Sequence, residues 1–111
     1  FKLKIFFGSI FVKKEILKEA GRIYPIKLEY YKIINEDEII KNRRAKFGIE
    51  ILKTEYAEKS TKIERKVINY ISNDERKIEE ILNIFKNNSV TPISASEIVL
   101  DLCKAFVTSY N

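Results

Sequence analysis

Apolar and polar residues alternate along much of the first half of the chain, with the period of two that is typical of β-strands. Residues 1–7 begin with this alternation, and residues 10–20 and 22–34 form two further apolar-rich segments. Gly21 stands between these two segments and can adopt the positive φ of a tight turn. We therefore predict that residues 10–20 and 22–34 form a β-hairpin.

The clearest strand begins at Lys46, where apolar residues at every second position can share one face. Its predicted partner is the segment 62–71, and the polar residues 56–61 predict the loop of this second hairpin. Gly48 lies in the middle of the first strand of the hairpin. A glycine at that position indicates either a bulge or a large neighbour that crosses close above the backbone.

The period of the apolar residues changes from two to 3.6 at Ser72, which indicates a change from strand to helix. Ser72 and Glu75 have the spacing of a capping box, and the apolar residues that follow predict a helix as far as residue 87. A proline then interrupts the pattern. Ser94, with a glutamate three residues later, predicts a second helix over residues 95–109.

This order of elements, strands first and helices afterwards, predicts an α+β fold. We expect an antiparallel β-meander of about four strands, in two hairpins, followed by two C-terminal helices packed on one face. A chain of 111 residues is long enough for one hydrophobic core. We therefore expect a single domain over residues 1–111, with a sheet part at about 1–72 and a helical part at about 73–111.

The predicted last helix has more apolar surface than contact with a sheet requires. One apolar stripe is sufficient for a helix that lies on a sheet, and this helix has two. The first stripe is formed by Ala95, Ile98, Leu102 and Ala105. The second stripe must be covered by the preceding helix or by another chain, and another chain would be a protein partner or a second copy in a homodimer. The candidate protein interface is formed by Val99, Cys103, Phe106 and Tyr110.

The residue types that many enzymes require are scarce. The chain has no histidine, which excludes the commonest general base and every nucleophile or zinc arrangement that needs one. Its three glycines form no phosphate-binding loop. The acidic triplet at 36–38 is interpreted as a solvated loop rather than a metal site. We therefore predict a non-enzymatic interaction or regulatory protein with no catalytic residue, no metal site and no cofactor.

The positive charge of the chain lies in its sheet half. The net charge is +5, of which residues 1–72 carry +7 and residues 73–111 carry −2. Tyrosines are interleaved with lysines and arginines on the predicted strands, and such surfaces can stack bases while the cations hold phosphates. The alternative function is therefore nucleic-acid binding by the basic, tyrosine-rich sheet half. The candidate phosphate contacts lie in a loop that could also be only solvated: Lys41, Arg43, Arg44 and Lys46.

Two features of the sequence indicate the cellular compartment of the protein. Cys103 is the single cysteine and lies in an apolar segment, which is typical of a buried thiol in a reducing environment. No apolar run reaches the roughly 20 residues that a membrane-spanning helix needs. We therefore expect a cytoplasmic protein without a membrane partner.

Three short motifs occur in a characteristic order and spacing: residues 21–26 (GRIYPI) with 29–31 (EYY), residues 47–51 (FGIEI), and residues 90–93 (VTPI) followed by Ile98 and Asp101. In these motifs the chain resembles a family of small uncharacterised proteins from clostridia and related Firmicutes, a domain of unknown function. The resemblance extends from about residue 13 to residue 101. It implies a cytoplasmic Firmicutes protein and adds no mechanism.

Overall fold

The computed structural model describes residues 2–21, 24–36 and 45–108, with side chains in the last range described to residue 104. A short helix stands between the first two strands, and two long helices end the described chain. The elements are β1 (Lys2–Phe11), α1 (Lys14–Glu19), β2 (Ile26–Asn35), β3 (Phe47–Tyr56), β4 (Thr61–Ser72), α2 (Glu75–Asn87) and α3 (Pro92–Thr108).

The four strands form one sheet in the order β1-β2-β3-β4, and each neighbouring pair is antiparallel. α2 packs across all four strands, α3 packs over β3 and β4, and residues of both helices share one core with the sheet. The predicted α+β fold, an antiparallel four-stranded meander followed by two C-terminal helices, is confirmed.

The segment before Gly21 is not the strand that its apolar content predicts. β1 ends before this segment, and Lys14–Glu19 forms the helix α1. Five of its six residues are good helix formers, namely two lysines, two glutamates and one leucine. Glu15 lies in the first turn and Lys18 in the last, so both charges complement the helix dipole. Gly21 has the predicted positive φ, at 72°, but it follows the helix α1 instead of joining two strands.

The core lies between the two long helices and the sheet, with Tyr30 at its centre. Tyr30 is fully buried, and its ring centroid is 6.3 Å from that of Phe85 in α2. Its hydroxyl donates a hydrogen bond of 2.8 Å to the backbone carbonyl of Val90, in the connection between α2 and α3. The aliphatic side chains of this core include Leu28, Ile49, Ile51, Ile78, Ile81 and Leu82.

The predicted N-cap of the first long helix, Ser72, is wrong by two residues. α2 begins at Glu75, and its N-cap is Asp74, whose carboxylate accepts a hydrogen bond of 3.0 Å from the N–H of Arg76. Ser72 still belongs to β4, and its hydroxyl accepts a bond of 3.0 Å from the N–H of Asp74. The strand therefore continues further than the capping-box pattern indicates, because β4 remains paired with β3 up to Ser72.

The connection between the helices also differs from its prediction. α3 begins at Pro92, which suits a first helical position because its φ is already helical and it has no N–H to leave unpaired. Ser94 therefore lies inside the first turn, where its hydroxyl oxygen is 3.2 Å from that of Thr91. The residue with left-handed backbone conformation after α2 is Ser89, with a φ of 51°.

Replacing Asp74 by alanine should lower the free energy of unfolding by about 1 kcal/mol. The N–H of Arg76 loses its acceptor, and a negative charge is removed from the positive end of α2. Asp74→Asn is the matched control, because it keeps an acceptor and should lose less. Urea denaturation of the three proteins measures the difference, and equal midpoints for Asp74→Ala and the wild type would contradict the role of this cap.

Candidate interaction surface

The sheet has one face that neither long helix covers, here called the open face. Tyr30 points to the helices, so Glu29 and Tyr31 point the other way, with the residues paired to them in β1 and β3. A bulge at Phe7 changes the alternation within β1. The open face is formed by Lys2, Lys4, Phe6, Ser9 and Phe11 of β1, Lys27, Glu29, Tyr31, Ile33 and Asn35 of β2, Gly48, Glu50, Leu52, Thr54 and Tyr56 of β3, and Thr61, Ile63, Arg65 and Val67 of β4.

Glu50 lies at the centre of the open face and is paired with cations of both edge strands. Its Oε2 atom is 3.1 Å from Nζ of Lys4 and 3.5 Å from Nε of Arg65. The Glu50 side chain is only 9% exposed. A carboxylate with so little access to water needs such partners, because an unpaired buried charge is costly. The three side chains therefore connect β1, β3 and β4 across the open face.

An aromatic pair lies beside this ion cluster. The rings of Phe6 and Tyr31 meet edge to face, with centroids 5.6 Å apart and planes at 67°. The ammonium of Lys4 is 4.7 Å from the centroid of the Tyr31 ring, so one cation contacts both the ring and Glu50. Burial, and next the negative charge of Glu29, raise the pKa of Tyr31 above its ordinary value. Tyr31 therefore stays a neutral donor, and its hydroxyl lies 3.4 Å from Oε2 of Glu29.

Large apolar side chains remain exposed on both sides of the cluster. On β1, Phe6 is 56% and Phe11 is 61% exposed, and on β4, Ile63 is 62% and Val67 is 37% exposed. The open face thus has a centre of paired charges with apolar residues along its two edge strands. An extended surface of this kind is typical of contact with a macromolecule.

Tyr70 closes one end of the open face. The Lys2 ammonium on β1 is 5.4 Å from the centroid of the Tyr70 ring, although Tyr70 belongs to β4 at the opposite edge of the sheet. The two side chains therefore meet over β2 and β3. Ile33 of β2, on the same face, is only 4% exposed although both long helices lie on the other face.

The domain that carries this surface matches one family model. The match covers residues 9–105, and the model describes a family of unknown function, DUF6514. The chain belongs to this family. β2, β3 and β4 lie entirely within the matched region, so most of the open face is part of the DUF6514 domain. The resemblance to a domain family of unknown function is confirmed.

No curated protein and no solved structure matches the chain. None of the helices in the described ranges is long and apolar enough to cross a membrane. Those ranges also contain no group of three or more cysteine, aspartate or glutamate residues that could hold a metal ion. The described residues of the open face offer aromatic, ion-pair and apolar contacts.

The described part of the predicted interface on the last helix lies against the core of the DUF6514 domain itself. Val99 is 7% exposed and belongs to the core, and Cys103 is half-buried and packs against it. The side chain of Phe106 and the whole of Tyr110 lie outside the described residues.

The two apolar stripes of the last helix are neighbours rather than opposite faces. At about 100° per residue they form one arc about 160° wide. Ala95 from the first stripe and Val99 from the second both lie in the core, and α3 packs over β3 and β4. The exposed face of α3 instead carries Ile93 and Leu100, which are 90% and 56% exposed.

Of the predicted phosphate contacts, Lys46 lies within the described residues. It is half-buried, its backbone N–H donates to Oδ1 of Asn73 at 2.8 Å, and its ammonium is 5.6 Å from the centroid of the Phe47 ring. These contacts place Lys46 beside the start of α2, at the end of the sheet that Tyr70 closes. The other three predicted contacts lie outside the described residues: Lys41, Arg43 and Arg44.

The tyrosines of the sheet half do not share one surface. Tyr30 faces the helices, whereas Tyr31 lies on the open face and Tyr70 reaches over it. Phe6 is not one of the site residues predicted from the sequence, although it is the more exposed of the two aromatic residues. The signal that could have located it is the alternation at the start of the chain, which places Lys4 and Phe6 on the same side of β1.

Proposed function

We propose that this DUF6514 domain is a non-enzymatic interaction or regulatory module of the cytoplasm that docks another protein on its open face. The observation that carries the proposal is the set of large exposed apolar side chains around a cluster of paired charges, on a face that neither long helix covers. Protein interfaces combine apolar and aromatic contacts with satisfied polar groups in this way. Aromatic side chains such as Phe6 and Tyr31 can supply much of the binding energy.

The charges of the open face favour a protein over a nucleic acid as the partner. Lys4 and Arg65 are paired with Glu50, and Nζ of Lys27 is 3.3 Å from Glu29. Cations that are already paired with carboxylates contribute less to phosphate binding, and the two carboxylates would repel phosphates. The partner that suits this face is a protein surface with apolar side chains for the two edges and polar groups for the centre.

Composition supports the other parts of the proposal. The lack of histidine supports a non-enzymatic role, and one half-buried cysteine supports a reducing cytoplasm. An origin in clostridia or related Firmicutes is what the resemblance over about residues 13–101 implies. A homodimer contact through the last helix would depend mainly on Phe106 and Tyr110, because Val99 is already buried in the core.

Nucleic-acid binding is the alternative, and the aromatic pair beside Lys4 is the observation that favours it. An exposed ring next to a cation can stack a base of a single strand. The basic segment between β2 and β3 would then supply the phosphate contacts, from Lys41, Arg43, Arg44 and Lys46.

Replacing Phe6 by glutamate should weaken binding of a protein partner at least about tenfold, because an anchor in the aromatic pair is lost. A photoreactive phenylalanine analogue at position 6 should first crosslink to that partner in cells that express the protein naturally. The affinity of the purified partner for the wild type and for Phe6→Glu is then measured by titration calorimetry.

The matched control is Leu100→Glu, because Leu100 is also 56% exposed but lies on α3, on the other side of the sheet. The photoreactive analogue at position 100 should not crosslink to the partner, and Leu100→Glu should not weaken binding. An equal loss of affinity for both variants would contradict docking on the open face. Tight binding of single-stranded oligonucleotides that falls steeply with salt, and that Arg43→Glu with Arg44→Glu abolishes, would establish the alternative instead.

A further inference from the structure

β4 is an edge strand without a strand neighbour on its outer side in the described chain. Every second residue of such a strand directs its N–H and C=O groups outward, where they can pair with another strand. The opposite edge, β1, is protected by the bulge at Phe7 and by Lys2 and Lys4. β4 is paired with β3 in an uninterrupted register from Thr61 to Ile68, so its outer edge is regular over the same length.

We propose that a second copy of this chain pairs with β4, in antiparallel orientation, about a two-fold axis that passes through Arg65. The two four-stranded sheets then form one continuous sheet of eight strands. This contact is separate from the docking of another protein on the open face. A two-fold axis perpendicular to the sheet keeps all four long helices on one side and joins the two open faces on the other.

The sequence of β4 is self-complementary in this register. Glu64 of each copy lies opposite Lys66 of the other, and Ile63 of each lies opposite Val67 of the other. Opposite charges and apolar pairs directly across two strands both stabilise a sheet. A shift of the axis by one residue to either side would place Glu64 or Lys66 opposite itself, and like charges in that position are destabilising. β1 carries only cations, so it cannot complement itself in this way.

The side chains around this axis have room for the contact. Arg65 on the axis lies opposite Arg65 of the second copy. Its Nε is 3.5 Å from the Glu50 carboxylate of its own chain, which offsets the repulsion between these two like charges. Glu64 is 3.8 Å from Lys53 and 57% exposed, which leaves it accessible to a second lysine. Lys66 has no ion-pair partner in the described ranges, so the pairing with Glu64 of the second copy would give it one.

A groove beside β4 supplies an independent argument. It has a volume of about 640 Å³ and lies between the middle of β4 and the first turn of α3, lined by Glu64, Arg65, Lys66, Pro92, Ile93 and Ser96. Ile93 is 90% exposed, more than any other large apolar side chain described. Because the β4 residues that line the groove are Arg65 and its two neighbours, the proposed axis places the grooves of the two copies next to each other. We expect this pairing to cover part of both Ile93 side chains.

Arg65→Cys in a Cys103→Ser background should form a disulfide-linked dimer under mild oxidation. Directly paired residues of two antiparallel strands have Cα atoms about 4.5–5.5 Å apart, which is within disulfide range. Ile63→Cys in the same background is the control. Its two copies would lie about 13 Å apart along the strands, too far for a bond. Non-reducing electrophoresis after a time course of oxidation measures both rates.

Charge reversal tests the register without a crosslink. Lys66→Glu should weaken the dimer about tenfold or more in sedimentation equilibrium, because both ion pairs become repulsive. Glu64→Lys combined with Lys66→Glu should restore it, and Phe6→Glu on the open face should leave it unchanged. The proposal is overturned if the wild type stays monomeric at millimolar concentration, or if Ile63→Cys crosslinks as fast as Arg65→Cys.

Discussion

Replacing Gly48 by alanine should lower the free energy of unfolding by about 3 kcal/mol, measured by urea denaturation. Three residues of β4 stand opposite this single residue of β3, since Phe47 pairs with Ser72 and Ile49 with Ile68. A Cβ at position 48 would overlap the backbone carbonyl oxygens of Ile68 and Asn69. These oxygens belong to the backbone of β4, so they can move only if the strand moves with them.

A side chain of β2, the strand on the other side of β3, also holds this bulge of β4 in place through a hydrogen bond. Asn35 is fully buried, and its Nδ2 donates to the carbonyl of Asn69 at 2.7 Å and to that of Ala45 at 3.3 Å. A shift of β4 would break the bond to Asn69 and leave buried polar groups unpaired, which adds to the cost. Tyr70 follows directly in the bulge, so Gly48→Ala should also disturb the end of the open face that Tyr70 closes.

Gly8→Ala is the matched control, because Gly8 is also a strand glycine with a close neighbour. A Cβ at position 8 would lie 3.2–3.4 Å from the end of the Lys86 side chain. That side chain is flexible and can move aside, so the loss should be about 0.5 kcal/mol or less. Equal losses for the two variants would contradict backbone overlap as the reason for glycine at position 48.

Replacing Tyr30 by phenylalanine should lower the free energy of unfolding by about 1.5 kcal/mol. The ring can keep its place beside Phe85, but the buried carbonyl of Val90 loses its donor. This bond joins the centre of the sheet to the connection between α2 and α3, so its loss should also loosen that connection. Tyr31→Phe is the control, with a smaller expected loss, because its hydroxyl bond to Glu29 is longer, at 3.4 Å, and is only partly buried.

Tyr30 should also make the stability of the protein depend on pH in the alkaline range. Burial raises the pKa of Tyr30 well above its ordinary value of 10.0. The folded protein then holds this proton more strongly than the unfolded chain, so the contribution is fully present below about pH 10 and is lost as the pH rises further. The slope from one such group reaches about 1.4 kcal/mol per pH unit.

Urea midpoints measured between about pH 9 and about pH 11 test this dependence. The difference in stability between the wild type and Tyr30→Phe should shrink as the pH rises, because only the wild type contains the buried phenol. The pKa of Tyr31 is raised too, so Tyr31→Phe should change the slope in the same direction by less. Parallel curves for the wild type and Tyr30→Phe would contradict a raised pKa of Tyr30 in the folded protein.

The sequence by itself determined the order of the elements and several of their special positions. The change of period near Ser72 separates the strands from the helices, and the apolar repeat ends α2 at Asn87 as predicted. Gly21 in a turn and Gly48 at a bulge were both predictable, because each position needs a residue without a side chain. These features are local, so local patterns are sufficient to find them.

The limits of local patterns appear where two interpretations of one segment compete. Residues 14–19 contain enough apolar residues for a strand, yet they form α1. Asp74 rather than Ser72 caps α2, because Ser72 is still held by its strand neighbour. In residues 14–19 the helix-forming residue types decide the outcome. For Ser72 the outcome depends on its strand neighbour, which a short window of sequence does not contain.

Only the tertiary structure decided which side chains share a surface. The bulge at Phe7 exchanges the two faces of β1, so Phe6 before it and Phe11 after it lie together on the open face although their numbers differ in parity. The packing of α3 on β3 and β4 likewise decided that Val99 is buried and Ile93 exposed. The period of the apolar residues shows that a segment has an apolar side. Which element covers that side depends on contacts between residues distant in sequence.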